Sequence, residues 1–174
     1  GDDRHILAVQ LIDDIRAATG LEWDIATGDR WPGFITLTTF DEPHAHPSGA
    51  YTLDVTPDGV TVAGADFEGV RNGVQTLRQL IRQCGAALPC LHIEDRPTFE
   101  TRGYYLDATR GRVPTLDWLK HWADKLCLYK YNQLQLYIEH TFAFDSMSET
   151  WRGSSPLTPR DILEFDDYCA ERGI

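Results

Sequence analysis

No stretch of about 18 consecutive apolar residues occurs, so nothing in the sequence reads as a membrane-spanning helix. The amino terminus also lacks the charged-then-apolar pattern of a secretory signal, and it begins at Gly1 without a methionine, which leaves the compartment open. Positive charge is scarce: 16 lysines and arginines stand against 27 aspartates and glutamates, a formal net charge of −11. Nucleic-acid binding draws most of its affinity from Lys and Arg, so a phosphate-binding surface is disfavoured and a neutral ligand is compatible. The four cysteines, Cys84, Cys90, Cys127 and Cys169, have neither CxxC nor Cys/His spacing, which argues against zinc and for free thiols. The stretch DEPHAHPSG gathers Asp41, Glu42, His44 and His46, but its two prolines and glycine do nothing to pre-orient ligands. It reads as a solvated loop and not as a metal site.

What is present is enough apolar material for a core, with 42% hydrophobic and 11% aromatic residues in 174. Ile6, Leu7, Val9, Ile12, Ile15 and Ala18 recur at helical spacing between Arg4 and Thr19, and Gly20 suits the carboxyl-terminal cap. Trp23 to Ala26 and Phe34 to Phe40 read as strands. Tyr51 to Thr56 and Val60 to Ala63 read as a hairpin across Pro57-Asp58-Gly59. Asp66 is the expected cap of a second helix with Val70, Val74, Leu77, Leu80 and Ile81 on one side, Gly69 and Gly73 spaced for close approach, and Arg71 and Asn72 on a solvated edge. After a short strand from Leu91 to Ile93, Glu94-Asp95-Arg96-Pro97 is the natural joint, because proline ends regular pairing. Glu94 and Asp95 are not read as a catalytic pair, since adjacent strand residues face opposite ways.

The stretch from Arg102 to His140 has a different rhythm. Tyr104, Tyr105 and Leu106 form a short apolar run that closes on Asp107, Thr109 and Arg110, and Pro114 is expected in the first turn of a helix. Leu116, Leu119, Trp122, Ala123, Leu126 and Leu128 follow at mostly helical spacing, then Leu134, Leu136 and Ile138 lead to Glu139 and His140. Strand, helix and strand in this order fit a parallel pair whose polar residues sit at the carboxyl-terminal strand ends, where (β/α) barrels build active sites. Thr141 to Leu157 is expected as a long loop, with Trp151 over a sugar or over the barrel rim. Thr158-Pro159-Arg160-Asp161 then opens a last helix.

The combination of Arg102-Gly103, Leu106-Asp107, Arg110, Pro114, Leu128-Tyr129-Lys130 and Asn132 resembles the start of the catalytic barrel of glycoside hydrolase family 20, the β-N-acetylhexosaminidases. The phrase GVRNGVQTLRQLI resembles the last helix of the small domain that precedes that barrel. The resemblance implies an α+β domain over 1–96, an antiparallel sheet with two helices, followed over 97–174 by the first β-α-β-α units of a TIM (β/α)8 barrel. A closed barrel alone usually needs about 250 residues. The chain is therefore expected to be truncated, to leave unpaired edges that favour self-association, and to be inactive alone.

The implied activity is removal of terminal β-linked N-acetylglucosamine or N-acetylgalactosamine from glycans, with retention. The substrate's own 2-acetamido oxygen is the nucleophile. Neither metal nor cofactor is implied. The family's catalytic Asp-Glu pair, at the end of a fourth strand, has no counterpart here, so no catalytic residue is assigned. The family's sugar-binding arginine maps onto Arg110, whose planar fork of donors suits two neighbouring hydroxyl oxygens, with Asp107 orienting its neighbours; the alternative for Arg110 is an ion pair to Asp107 or another strand-end acid. Glu139 and His140 stand where many members carry adjacent aspartates and are the other candidate sugar ligands, while Arg112 replaces a frequent aromatic residue. Another carbohydrate-active barrel enzyme, or a non-catalytic glycan-binding module, stays open as a rival.

Overall fold

The computed structural model describes residues 3–28, 33–42 and 45–174. The chain separates into two compact units, Gly1–Glu100 and Thr101–Ile174.

The first unit runs α1 (Asp3–Thr19), β1 (Phe34–Thr39), β2 (Tyr51–Thr56), β3 (Gly59–Gly64), α2 (Phe67–Cys84) and β4 (Leu91–Asp95). The expected hairpin forms, with Tyr51 opposite Gly64 and Thr56 opposite Gly59. The sheet order is β1-β3-β2-β4, and β1 runs parallel to β3. The expectation of an antiparallel sheet is thereby corrected to a mixed one. β1 does not pair with β2, its successor in sequence, because β3 inserts between them.

The expected strand from Trp23 to Ala26 is also corrected: the segment is irregular. Alternation would need Trp23 and Ile25 to share a face, yet Trp23 packs against the core while Ile25 is exposed.

Leu7, Leu11 and Ile15 are the apolar residues that α1 buries among those described, four apart, whereas Val9 is exposed, so its face is narrower than the one read from sequence. They meet Val70, Val74, Leu77 and Ile81 of α2 over Tyr51, Leu53, Val55 and Val62 of the sheet. Each such buried side chain contributes about 1.5–3 kcal/mol. Asp66 caps α2, accepting from the Gly69 N–H at 2.7 Å. Glycine is required at Gly73, where a Cβ would fall 2.5 Å from Val62 Cγ1, and at Gly69, where it would fall 2.2 Å from the Ala50 carbonyl oxygen. Asn72 is not on a solvated edge: it is buried and donates to the Gly49 carbonyl at 3.0 Å. A buried ion pair joins the helices, Arg78 Nε donating to Asp14 Oδ2 at 2.6 Å.

The second unit contains β5 (Gly103–Asp107), α3 (Leu116–Leu128), β6 (Gln133–Tyr137), α4 (Ser148–Trp151) and α5 (Pro159–Ala170). β5 and β6 are parallel, with Asp107 in register with Tyr137. Tyr104, Leu106, Leu134 and Leu136 are half-buried, and alternate residues such as Tyr105 and Gln135 are exposed. The helices close over Leu119, Ala123, Leu157, Phe165 and Cys169.

Thr115, not Pro114, caps α3, so the proline lies just outside the first turn. Thr158 and Asp161 form the reciprocal capping box of α5, with Pro159 at its first position. The segment expected as a loop contains α4 and a parallel bridge from Phe142 to Leu157. Among the described residues, no helix is long and apolar enough to cross a membrane.

Candidate functional site

The ends of β5 and β6 bring four polar side chains together. Asp107 is the last residue of β5, and the chain then turns so that its Oδ1 accepts the Thr109 N–H at 2.9 Å and the Arg110 N–H at 3.1 Å. The same carboxylate accepts from Arg110 Nη1 through Oδ2 at 2.9 Å. Nη2 of Arg110 donates to the Tyr137 hydroxyl and to Glu139 Oε1, both at 3.2 Å. The Tyr137 hydroxyl donates in turn to Glu139 Oε1. The Arg110 guanidinium carbon also lies 4.7 Å from the centroid of the Tyr137 ring, within range of cation–π attraction.

Below these groups the backbone is fixed. Ala108 donates its N–H to the Tyr137 carbonyl at 3.0 Å, and the Thr109 hydroxyl accepts from the Glu139 N–H at 3.3 Å. Thr109 and Thr141 are buried and share a hydrogen bond of 3.3 Å. The charged groups above them remain open to solvent, with the Arg110 side chain 64% exposed.

The contacts reinforce the ordinary protonation states. The Thr109 N–H, then Arg110, hold the Asp107 carboxyl below its ordinary range. Asp107 first, then Tyr137, push the Arg110 guanidinium further above its already high value. The hydrogen bond to Glu139 raises the Tyr137 phenol above its ordinary value. The result is a cation held among three acceptors, Asp107, Tyr137 and Glu139. Three guanidinium hydrogen bonds to side chains on a group with five N–H donors leave capacity for oxygen atoms of a ligand.

Of the residues picked out from sequence, Asp107, Arg110 and Glu139 meet here. The His140 side chain is exposed and takes no part in this network, although its carbonyl accepts from Ser154 Oγ at 3.2 Å. Tyr137 was missed. It stands two residues before Glu139 and in register with Asp107, so strand alternation and pairing together point to it. Arg112 lies over the Trp118 ring at 4.4 Å, and Trp151 donates to the Phe144 carbonyl at 2.9 Å.

Elsewhere, an open groove of about 960 Å³ in the first unit is lined by Asp41, Glu42, His46, Glu94 and Asp95 among others. His44 lies outside the described residues. Asp95 accepts from the buried Tyr51 hydroxyl at 2.9 Å, a structural contact. Among the described residues, no group of three or more His, Cys, Asp or Glu side chains is arranged to hold a metal ion.

A family model described as "Glycosyl hydrolase family 20, domain 2" matches residues 5–96. The chain is 31% identical over 146 residues to a beta-hexosaminidase of Akkermansia muciniphila, covering 72% of this chain and 29% of the relative. The structure of a GH20 beta-N-acetylhexosaminidase from Streptomyces coelicolor matches with a TM-score of 0.80 and 29% identity, over 99% of this chain and 39% of that one. A mutant Streptomyces plicatus beta-hexosaminidase in complex with product (GlcNAc) matches with a TM-score of 0.82 and 28% identity, over 99% of this chain and 38% of that one. The chain thus spans well under half the length of each of these three proteins.

Proposed function

We propose, because this chain belongs to glycosyl hydrolase family 20, that the protein containing it removes terminal β-linked N-acetylglucosamine or N-acetylgalactosamine from glycans. The substrate's 2-acetamido oxygen attacks the anomeric carbon, and retention follows from a second displacement by water. The acids that orient the acetamido group and protonate the leaving oxygen have no assigned position in this chain. Its own contribution is recognition of the terminal sugar.

The observation that carries this reading is the convergence of Asp107, Arg110, Tyr137 and Glu139 at the carboxyl-terminal ends of two parallel strands. In the proposed architecture, residues 1–96 are the small α+β domain and residues 97–174 supply the first β-α-β-α units of a (β/α)8 barrel. Active sites of such barrels are built at that end of the strands. Arg110 binds hydroxyl oxygens on the edge of the sugar far from the scissile bond. Asp107 supports Arg110, Glu139 accepts from a sugar hydroxyl, and His140 lies beside it. Neutral sugar recognition by directional donors suits the acidic chain better than anion binding.

The test is an assay of the full-length protein on 4-nitrophenyl N-acetyl-β-glucosaminide beside the corresponding β-glucoside, which lacks the acetamido nucleophile. Turnover of the first and none of the second is expected. Comparable turnover of both would contradict it.

A further inference from the structure

We infer that Tyr137 is a positioning residue for recognition of the terminal sugar, holding Arg110 and Glu139 in one arrangement, an inference that rests on the sugar-binding reading of Arg110. Arg110 and Glu139 both lie beyond the ends of their strands, and both residues are exposed. Exposed ion pairs between long side chains contribute little and lose much rotamer freedom when held. Charge attraction alone therefore leaves the guanidinium free to swing, and something stiffer has to set its plane.

Tyr137 supplies that stiffness. Its backbone belongs to β6 and is fixed in the ladder opposite Asp107, and its ring has only two side-chain torsions. The Tyr105 ring stands 6.0 Å away, a tilted neighbour on β5. The Tyr137 ring then meets the guanidinium with its face while the hydroxyl accepts from Nη2 and donates to Glu139. One strand-borne phenol thus fixes a cation and an anion that are both loop-borne. Asp107 holds the other nitrogen of the fork, so the plane of the guanidinium is set from two sides. A phenol is protonated at neutral pH, and the hydrogen bond to Glu139 shifts Tyr137 further in that direction.

A residue acting in this way changes substrate binding only through Arg110 and Glu139. The test uses the active, full-length protein with 4-nitrophenyl N-acetyl-β-glucosaminide, measuring KM and kcat for Tyr137→Phe, Tyr137→Leu, Arg110→Ala and the double variant Tyr137→Phe/Arg110→Ala. Tyr137→Phe keeps the ring and removes the hydroxyl, so KM is expected to rise ~3–10-fold with kcat nearly unchanged, the pattern of lost uniform binding. Tyr137→Leu also loses the ring face and is expected to raise KM further. In the Arg110→Ala background, Tyr137→Phe is expected to raise KM by a smaller factor, because only its hold on Glu139 is then left to lose.

If Tyr137→Phe raises KM by the same factor in both backgrounds, Tyr137 acts independently of Arg110 and the inference is overturned. It is overturned equally if Arg110→Ala raises KM while Tyr137→Phe does not, and the sugar-binding reading then survives. If Arg110→Ala itself leaves KM unchanged, both fall. Thermal melts of each variant separate loss of fold from loss of positioning. A Tyr137→Phe protein that melts earlier with KM unchanged marks a purely structural residue and contradicts the inference.

Discussion

Asp107 holds Arg110 at both ends of the residue, accepting its backbone N–H at 3.1 Å and its Nη1 at 2.9 Å. The carboxylate therefore shapes the turn and aims the side chain together. Asp107→Asn keeps the size but removes the charge and replaces one acceptor oxygen with a donor. It is expected to lower kcat/KM on an aryl N-acetyl-β-glucosaminide by less than Arg110→Ala does, since Tyr137 and Glu139 still engage Nη2. An Asn variant more damaging than Arg110→Ala would give Asp107 a role of its own in the chemistry.

A chain of residues 1–96 is expected to fold by itself. α1, α2 and the four-stranded sheet share one apolar cluster, and β4 closes the sheet against β2. Amide exchange on that chain should show slow protons in α2 and in the β2–β3 pair. The absence of any protected core would refute the proposed division at 96.

The ion pair between Asp14 and Arg78 is the buried polar joint between α1 and α2, and both side chains are about 10% exposed or less. Asp14→Ala leaves the Arg78 charge buried without its carboxylate and is expected to cost ~3–5 kcal/mol. Arg82 also reaches Asp14, at 2.7 Å, but its side chain is 46% exposed, so Arg82→Ala should cost no more than ~1 kcal/mol. Urea unfolding of both variants checks the ordering, and equal losses would show that burial does not decide it.

Much of this framework was legible in the sequence because local chemistry dictates it. Asp66 and Thr158 cap their helices, Pro57-Asp58-Gly59 reverses the chain, and Gly69 and Gly73 let α2 approach the sheet. What was not legible depends on distant partners. The parallel pairing of β1 needs β3 to come between β1 and β2, and the irregular path at Trp23 reflects a tertiary site for one side chain only. Asn72 looked like a surface residue until the Gly49 carbonyl was placed against it. At the candidate site, Arg110 and Glu139 stood out as charges at strand ends. Tyr137 is not singled out by the sequence, because only the strand register sets it opposite Asp107.

The cap of α2 makes a pH prediction. Burial opposes ionisation of Asp66, but the Ser48 hydroxyl and the Gly69 and Gly49 N–H groups outweigh it and hold its pKa below the ordinary 3.8. A carboxyl whose folded value is depressed binds its proton more readily in the unfolded chain. Its stabilisation is therefore complete above 3.8 and is lost as pH falls through the lower folded value. Asn at this position still caps but does not titrate. Thermal melts from neutral pH down to about pH 2 should show the advantage of the natural chain over Asp66→Asn shrinking below the carboxylate range. A difference that stays constant across that range would contradict the assignment.

The proposed contact between Arg110 and the terminal N-acetylhexosamine is read by kcat/KM of Arg110→Ala on 4-nitrophenyl N-acetyl-β-glucosaminide, measured in the full-length protein. Loss of charge-assisted hydrogen bonds to the sugar predicts a fall of ~10-fold or more, with the melting behaviour unchanged. A fall of less than about threefold, well short of even one such contact, would contradict the account.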